Sequence, residues 1–318
     1  MASLREIKDH ISSVRSTLKI TSAMKLVASA KLRKAQQAVE GMRPYTEALS
    51  KMLERVVCPV ATGEGQESPV ATNTVTAIVA VASNSSLCGA FNINVIHKVE
   101  ETVSQLKAAG QTVEVISVGR KMAEAMRKAG FPSDDYSDLV GHNSFDKSAS
   151  FAQTLIDAFN SGKYGRVLLI YNHFVSTASQ KVALEQYLPF GLGRRTDRNL
   201  RTPYPPSDVE GGAHQRWEGP SGRLEEVPVS PPATENDIIL EPSREEILKT
   251  LLPQVMRLRI HTVLLDSIAA EHAARTIAMQ TASDNAEDLL GELSLEYNKG
   301  RQQKITAEIL DLVGGAQQ

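Results

Sequence analysis

Cysteine is scarce in this chain, whose 318 residues include only Cys58 and Cys88. The two match neither a C-x-x-C redox pair nor the ligand spacing of a zinc site. The sequence therefore carries no signature of a disulfide framework or a structural metal. We expect a protein of a reducing compartment that holds no metal.

Long apolar runs are also missing. No stretch of 18 apolar residues occurs, and the N-terminal MASLREIKDHISS interleaves acids with bases instead of forming a signal-peptide core. We therefore expect a chain that is neither exported by a signal peptide nor membrane-spanning. At 42% hydrophobic and 23% charged, its composition is typical of a soluble globular protein.

Catalytic signatures are the third absence, since the sequence contains no H-E-x-x-H, G-x-S-x-G or paired-carboxylate pattern. The segment ASNSSLCGAFN, residues 82–92, follows a predicted strand where α/β folds usually bind phosphate, yet it lacks both glycine-rich phosphate motifs. Cys88 has no histidine or aspartate at an interpretable offset, so we expect a small buried cysteine. A mechanical or recognition function without cofactor is the better expectation.

The N-terminal segment predicts one long helix that extends to about residue 57. Ser3 and Glu6 form an S-x-x-E capping box. The period of 3.5 that follows is typical of a coiled-coil seam. We expect the strict apolar heptad to give way at Lys25 to a seam of small and mixed residues, which are Ala28, Leu32, Ala35 and Val39. Gly41 and Pro44 permit a bend or a break. The heptad positions are Leu4, Ile7, Ile11, Val14 and Leu18.

The C-terminal segment predicts a second long heptad helix. Ser243 and Glu246 form its capping box, and Pro253 is expected to kink it. Two such helices at opposite ends of one chain most simply pair as an antiparallel coiled coil. The seam positions are Leu251, Val255, Leu258, Thr262, Leu265, Ala269, His272, Thr276, Met279, Ser283, Ala286, Leu290, Leu293 and Tyr297.

The middle of the chain alternates predicted strands with predicted helices, which favours a mainly parallel sheet covered by helices. An antiparallel edge strand is expected at 182–187. The fold class is therefore α/β: a long antiparallel coiled coil plus a central Rossmann-like α/β domain. The other predicted strands are 75–82, 113–118 and 166–171, and the predicted helices are 91–109, 121–128 and 148–160.

Proline and glycine mark the divisions between these parts. Residues 189–236 hold 8 of the chain's 14 prolines and 6 glycines, which indicates an insertion with little regular structure. The predicted division is a helix at 1–57, an α/β domain at 74–188, the insertion at 189–236 and a helix at 243–315.

Positive charge accumulates on the first helix. From His10 to Glu40 the only acid is Glu40, against six lysines and arginines. These cations could simply form a solvated helix face. Such a face normally mixes positive and negative charges, however, so this one also indicates an anionic partner. Nucleic acid is disfavoured because no aromatic residue is interleaved, and a membrane surface because no bulky apolar face opposes the cations. An acidic protein remains.

Three runs of the sequence resemble the gamma subunit of F-type ATP synthases. They are IKDHISSVRSTLKITSAMKLVASAKLRKAQ near the start, SLCGAFNINV after the first predicted strand, and EHAARTIAMQTASDNAEDLLGELSLEYNKGRQQKITAEILDLVGGA near the end. The resemblance brackets the whole chain. It implies a rotary central stalk, in which the coiled coil enters a ring of three alpha and three beta subunits. The α/β domain would sit on the membrane c-ring with the epsilon subunit.

The resemblance also implies residue roles. Hydrogen-bonded contacts with a loop of beta fall on Arg301, Gln302 and Thr306. The stretch that faces an acidic lever segment of beta corresponds to Met24, Lys25, Arg275 and Met279. A loop at the foot of the stalk corresponds to Leu87, Cys88 and Gly89.

By the same resemblance the chain is a non-catalytic subunit with no cofactor, metal or nucleic-acid partner. It would lie peripherally on the cytoplasmic face of the cell's inner membrane and couple ion flow to ATP synthesis or hydrolysis. The alternative is a free-standing α/β protein whose coiled-coil arm serves oligomerisation or nucleic-acid binding.

Overall fold

The structure is a computed structural model that describes residues 3–57, 75–131, 134–141, 143–189, 241 and 243–315. Cys58 and all but the first residue of the predicted insertion at 189–236 lie outside these ranges. The predicted fold class is confirmed: the terminal helices pair, and a mostly parallel sheet with its covering helices lies between them in sequence.

The two terminal helices are α1, Leu4–Val57, and α6, Arg244–Gly315. The predicted capping box begins α1, because Ser3 N donates to Glu6 Oε2 at 2.8 Å and Glu6 N donates to Ser3 Oγ at 3.3 Å. At the start of α6, Glu246 N donates to Ser243 Oγ at 3.3 Å. Both helices therefore begin where the sequence signals place them.

The helices pair in one antiparallel register along their shared length. Leu49 and Leu53 of α1 pack with Val255 and Leu258 of α6 at one end. At the other end of the seam, a side chain on Gly300 would meet Leu4 at 3.0 Å. Between these ends lies a cluster of small and apolar residues, namely Leu32, Ala35, Ala269 and Ala273.

Past Lys25 the seam of α1 consists of small and mixed residues, as the sequence predicted, and it keeps the spacing of three and four residues. Thr21 and Ala28 are buried and Lys25 between them is half-buried, so the stripe keeps its spacing and only its chemistry changes. The helix also continues through Gly41 and Pro44. Packing of the following turns against α6 holds the backbone helical despite the hydrogen bond that proline removes.

The sheet has four strands in the order β2-β1-β3-β4. The first three are parallel, and β4 runs antiparallel at the edge as predicted. The buried apolar runs account for the central strands, since both of their faces are covered. The strands are β1, Val75–Val81; β2, Thr112–Val118; β3, Arg166–Phe174; and β4, Gln180–Leu188.

Helices cover both faces of the sheet. The first face is covered by α2, Phe91–Ala108, and α3, Arg120–Lys128. The second face is covered by α5, Phe145–Asn160, together with α6. The sequence predicted α2, α3 and α5, but not the short helix α4, Asp138–Gly141, which is too brief to show a period.

Three environments succeed one another along α6. Residues 255–273 are mostly buried, because the sheet lies on one side of the helix and α1 on the other. From 276 to 300 the fully buried residues all belong to the seam; they are Met279, Ser283, Ala286 and Leu293. Residues 301–310 are all exposed and extend past Leu4, where α1 begins. One helix therefore joins the core of the α/β domain to an exposed tip.

Gly119, between β2 and α3, adopts a φ of +105°. A Cβ there would lie 2.1 Å from the carbonyl oxygen of Ala82, so no side chain fits. We expect Gly119→Ala to lower the free energy of unfolding by about 3 kcal/mol or more. Gly130→Ala is the matched control, since φ there is +82° with nothing within 4 Å.

Gly130→Ala should lower the free energy of unfolding by only about 1 kcal/mol, because it carries the conformational penalty without a clash. Urea titration of the full chain followed by circular dichroism measures both variants. Equal losses would show that the clash with Ala82 does not matter.

Candidate functional site

The loop that follows β1, residues 82–90, occupies the position where α/β folds usually bind ligands. Connections leave β1 toward β2 on one side and enter β3 on the other, so the strand order reverses there. In this chain α6 packs into that position. Ala270 forms a buried cluster with Cys88 and Phe91, and Phe174 and Ala274 pack against it.

A network of hydrogen bonds fixes this loop. Asn92 Oδ1 accepts from Ser83 N at 3.0 Å, and Asn92 Nδ2 lies 3.2 Å from Cys88 Sγ. Leu87 adopts a φ of 66°, rare for a residue with a branched side chain, and its side chain is 56% exposed. The loop therefore presents the apolar side chain of Leu87 to solvent, while Cys88 beside it is buried.

Cys88 is buried, as predicted, with 2% of its surface exposed. Burial raises the pKa of its thiol, and the hydrogen bond with Ser83 only partly offsets this. A protonated, enclosed thiol is a poor nucleophile, so Cys88 serves packing. Gly89 lies beside α6, where an added Cβ would be 3.8 Å from Ala278.

Arg275 ties α6 to the same loop. Its Nη1 donates to Glu271 Oε1 at 2.7 Å, and its Nη2 donates to Ser85 Oγ at 2.8 Å. Only 15% of the Arg275 side chain and 8% of the Glu271 side chain are exposed. Burial raises the pKa of Glu271, while the charge of Arg275 opposes that rise. The guanidinium therefore compensates a buried carboxylate.

Met24 and Lys25 lie on α1 near the middle of the seam. Met24 is 40% exposed and Lys25 is half-buried. Met279 of α6 is only 4% exposed, so its side chain contributes to the seam. Four residues further along α6, Ser283 Oγ donates to Thr21 Oγ1 at 2.9 Å in a buried hydrogen bond.

Arg301, Gln302 and Thr306 lie on the exposed tip of α6. The Thr306 hydroxyl donates to the carbonyl of Gln302 at 2.9 Å, within the same helix. At about 1.5 Å per residue, Arg301 stands roughly 40 Å along the helix from Arg275. The predicted site residues thus form two separate surfaces and a loop, not one pocket.

We name the two surfaces by their residues. The tip surface comprises Arg301, Gln302 and Thr306. We call the paired helices α1 and α6 the shaft, and the mid-shaft surface comprises Met24 and Lys25. Arg275 and Met279, which the sequence placed beside the mid-shaft surface, point into contacts within the chain. Their side chains would have to leave these contacts to reach a partner.

Two residues of this region escaped the sequence prediction. Glu271 pairs with Arg275 at a spacing of four, a signal that the sequence contains. Ser85 is 190 positions away from Arg275, and nothing in its local sequence indicates the contact.

Within the described ranges, no group of three metal-binding side chains occurs. The same ranges contain no helix with the length and apolar content that a membrane crossing requires.

Replacing Arg275 with methionine should destabilise the chain, because the buried Glu271 carboxylate loses its counter-charge. We expect a loss of about 3–5 kcal/mol at neutral pH. The loss should shrink as pH falls, since protonation of Glu271 removes the uncompensated charge. Thermal unfolding of both proteins between pH 8 and pH 5 measures this difference.

Ser85→Ala is the matched control, as it removes only the second contact of Arg275. It should cost about 1 kcal/mol with no dependence on pH. A loss in Arg275→Met that stays constant across this pH range would contradict the role given to Glu271.

The chain resembles known proteins over nearly its full length. The family model described as ATP synthase matches residues 3–318. An ATP synthase gamma chain from Bacteroides fragilis is 44% identical over 99% of both chains. One from Rhodospirillum rubrum is 35% identical over 100% of this chain and 99% of its own length.

Solved structures share the fold. A chain of the Euglena gracilis mitochondrial ATP synthase, in an assembly of OSCP, F1 and c-ring, superposes with a TM-score of 0.64 at 19% identity, covering 99% of this chain and 93% of its own. A chain from the central stalk and c-ring of the Tetrahymena thermophila enzyme gives 0.55 at 22% identity, covering 83% and 99%. On the full-length match to its curated relatives, the chain belongs to the ATP synthase gamma family.

Proposed function

We infer that the chain is the rotary central stalk of an F-type ATP synthase, coupling ion flow through a membrane rotor to ATP synthesis or hydrolysis. The observation that carries this function is the course of α6. Its first part lies in the core of the α/β domain, its middle pairs with α1, and its end is exposed. A continuous helix of 72 residues can pass rotation from one end to the other.

The partners follow from the same arrangement. The coiled coil would enter a ring of alpha and beta subunits, and the α/β domain would stand on the c-ring. The Euglena assembly with F1 and c-ring and the Tetrahymena central stalk with its c-ring support this placement. We further propose one copy for three alpha and three beta subunits, and an epsilon subunit bound beside the α/β domain.

The tip surface is suited to contacts that form and break during each turn. Arg301, Gln302 and Thr306 are polar and exposed, so their hydrogen bonds with a loop of beta would replace bonds to water at little net cost. Such contacts can report the angle of the shaft without stalling it. We propose that they couple that angle to the state of each catalytic site.

The mid-shaft surface carries the charge that an acidic lever of beta would recognise. Lys25 lies among cations without nearby acids in sequence, and Met24 adds an exposed apolar edge. Because Arg275 and Met279 are held inside the chain, we propose that they position this region of the shaft. We propose that Leu87, Cys88 and Gly89 form the loop at the foot of the stalk, where Cys88 packs against α6 and Leu87 is exposed.

The subunit is non-catalytic, and we propose that ATP is bound and hydrolysed on the partners. The ligand position at the carboxyl end of β1 is occupied by α6, which supports this assignment. The free-standing α/β protein considered as an alternative gains no support, since the full-length relatives are gamma chains. We propose a peripheral location at the cytoplasmic face of the inner membrane.

We propose that the chain divides into a helix at 1–57, an α/β domain at 74–188, an insertion at 189–236 and a helix at 243–315.

Met24→Lys tests the mid-shaft surface. A second cation beside Lys25 would strengthen an ion pair with the acidic lever that has to break on every turn. In membrane vesicles, we expect proton pumping to fall several-fold more than ATP hydrolysis. Fluorescence quenching of a pH dye and a phosphate assay on the same vesicles measure both rates.

Met52→Lys is the matched control, because Met52 also lies on α1 and is 56% exposed, but it is near the C-terminal end of the helix. It should leave the ratio of pumping to hydrolysis unchanged. If Met24→Lys lowers both rates equally, the proposed contact with the lever is wrong.

A further inference from the structure

A hydrogen-bonded histidine–aspartate pair joins the carboxyl end of β3 to α6. His173 Nδ1 lies 2.6 Å from Asp266 Oδ2, and the backbone N–H of Phe174 donates to Asp266 Oδ1 at 3.2 Å. Asp266 is only 5% exposed. Both carboxylate oxygens of a buried aspartate on the shaft helix are thus engaged by consecutive residues of one strand.

A second ion pair joins the neighbouring strand β4 to α6, two helical turns earlier on that helix. Arg259 Nη2 donates to Glu185 Oε2 of β4 at 2.9 Å, and Tyr171 of β3 donates to Glu185 Oε1 at 3.0 Å. Arginine stays charged at every accessible pH, whereas histidine loses its charge near neutrality. Of the two pairs, only that of His173 responds to physiological pH.

The charges around His173 favour its protonated form. Asp266 of α6 and Glu185 of β4 are negative, and Lys181, its register partner on β4, is positive. Burial lowers the pKa of His173, but the hydrogen bond to Asp266 and the charges of the two acids outweigh this and raise it.

We propose that His173 and Asp266 form a clasp, tight when the imidazole is protonated, that holds the α/β domain on the shaft helix and loosens as pH rises. A neutral imidazole can still donate its Nδ1–H. The buried carboxylate of Asp266 then has no counter-charge on β3, which weakens the contact between β3 and α6. The clasp acts as a positioning device, and its effect on coupling rests on the proposed stalk function.

The direction of the pH dependence follows from the raised pKa. Because the folded chain favours protonated His173, the stabilisation from this pair is complete below the ordinary histidine pKa of 6.5. It is lost as pH rises through the pKa in the folded chain. Alkaline conditions should therefore loosen the end of β3 while the Arg259–Glu185 pair still holds.

Amide hydrogen exchange on the full chain between pH 6 and pH 9, corrected for intrinsic rates, tests the clasp directly. Protection of the Phe174 amide should fall about threefold or more over this range. His173→Lys keeps the positive charge and should keep the protection constant. His173→Gln keeps a neutral donor and should show the alkaline protection of the wild type at every pH.

Strand β1 is the internal control, and its protection should not change. A wild type with constant protection, or a parallel fall in wild type and His173→Lys, would overturn the proposal. The proposal would also be overturned if protection of the Phe174 amide depended on pH in the same way in the wild type and in His173→Gln.

The consequence for coupling is measured in vesicles that carry the assembled enzyme. The ratio of proton pumping to ATP hydrolysis should fall with rising pH in the wild type and fall less in His173→Lys. An equal fall in both would overturn the role of the clasp in coupling. Hydrogen exchange needs no partner subunits, so the failure of the clasp and the failure of the stalk function are distinguished.

Discussion

The register between α1 and α6 determines the position of every other element. Small residues such as Ala35, Ala269 and Ala273 let the two helices approach closely, and the buried Thr21–Ser283 hydrogen bond admits only one alignment of the seam. A shift by one heptad would separate these hydroxyls and leave both buried without their partner. Because the first part of α6 is also a layer of the α/β core, this alignment sets the distance from the sheet to the exposed tip.

The same helix explains why the α/β domain has become a mechanical part. In a doubly wound sheet the switch point is free for a ligand, but here Ala270 and Ala274 of α6 pack against Cys88 and Phe91 at that position. Arg275 and Asp266 add charged contacts on either side of this packing. The shaft is thus held by apolar packing over a large area and oriented by a few buried, paired charges.

Much of the fold could be predicted because it rests on local signals. The capping boxes gave the starts of α1 and α6, heptad spacing gave the seam, and apolar runs gave the strands to within a few residues. One long helix was predicted for α1, but a bend or a break was left open at Pro44; the helix continues there because packing against a distant helix overrides the local preference. The contacts of Arg275 with Ser85 and of His173 with Asp266 join residues 190 and 93 positions apart, which no local pattern encodes.

The central claim is that this chain turns inside a ring of alpha and beta subunits. Ser104 is exposed on α2, and Cys88 is buried, so Ser104→Cys with Cys58→Ser offers one accessible thiol on the α/β domain. A bead or gold particle attached there, on an immobilised complex with alpha and beta, can be followed by single-molecule microscopy during ATP hydrolysis. We expect rotation in one direction, in steps that repeat three times per turn. A particle that stays fixed while the complex hydrolyses ATP would contradict it.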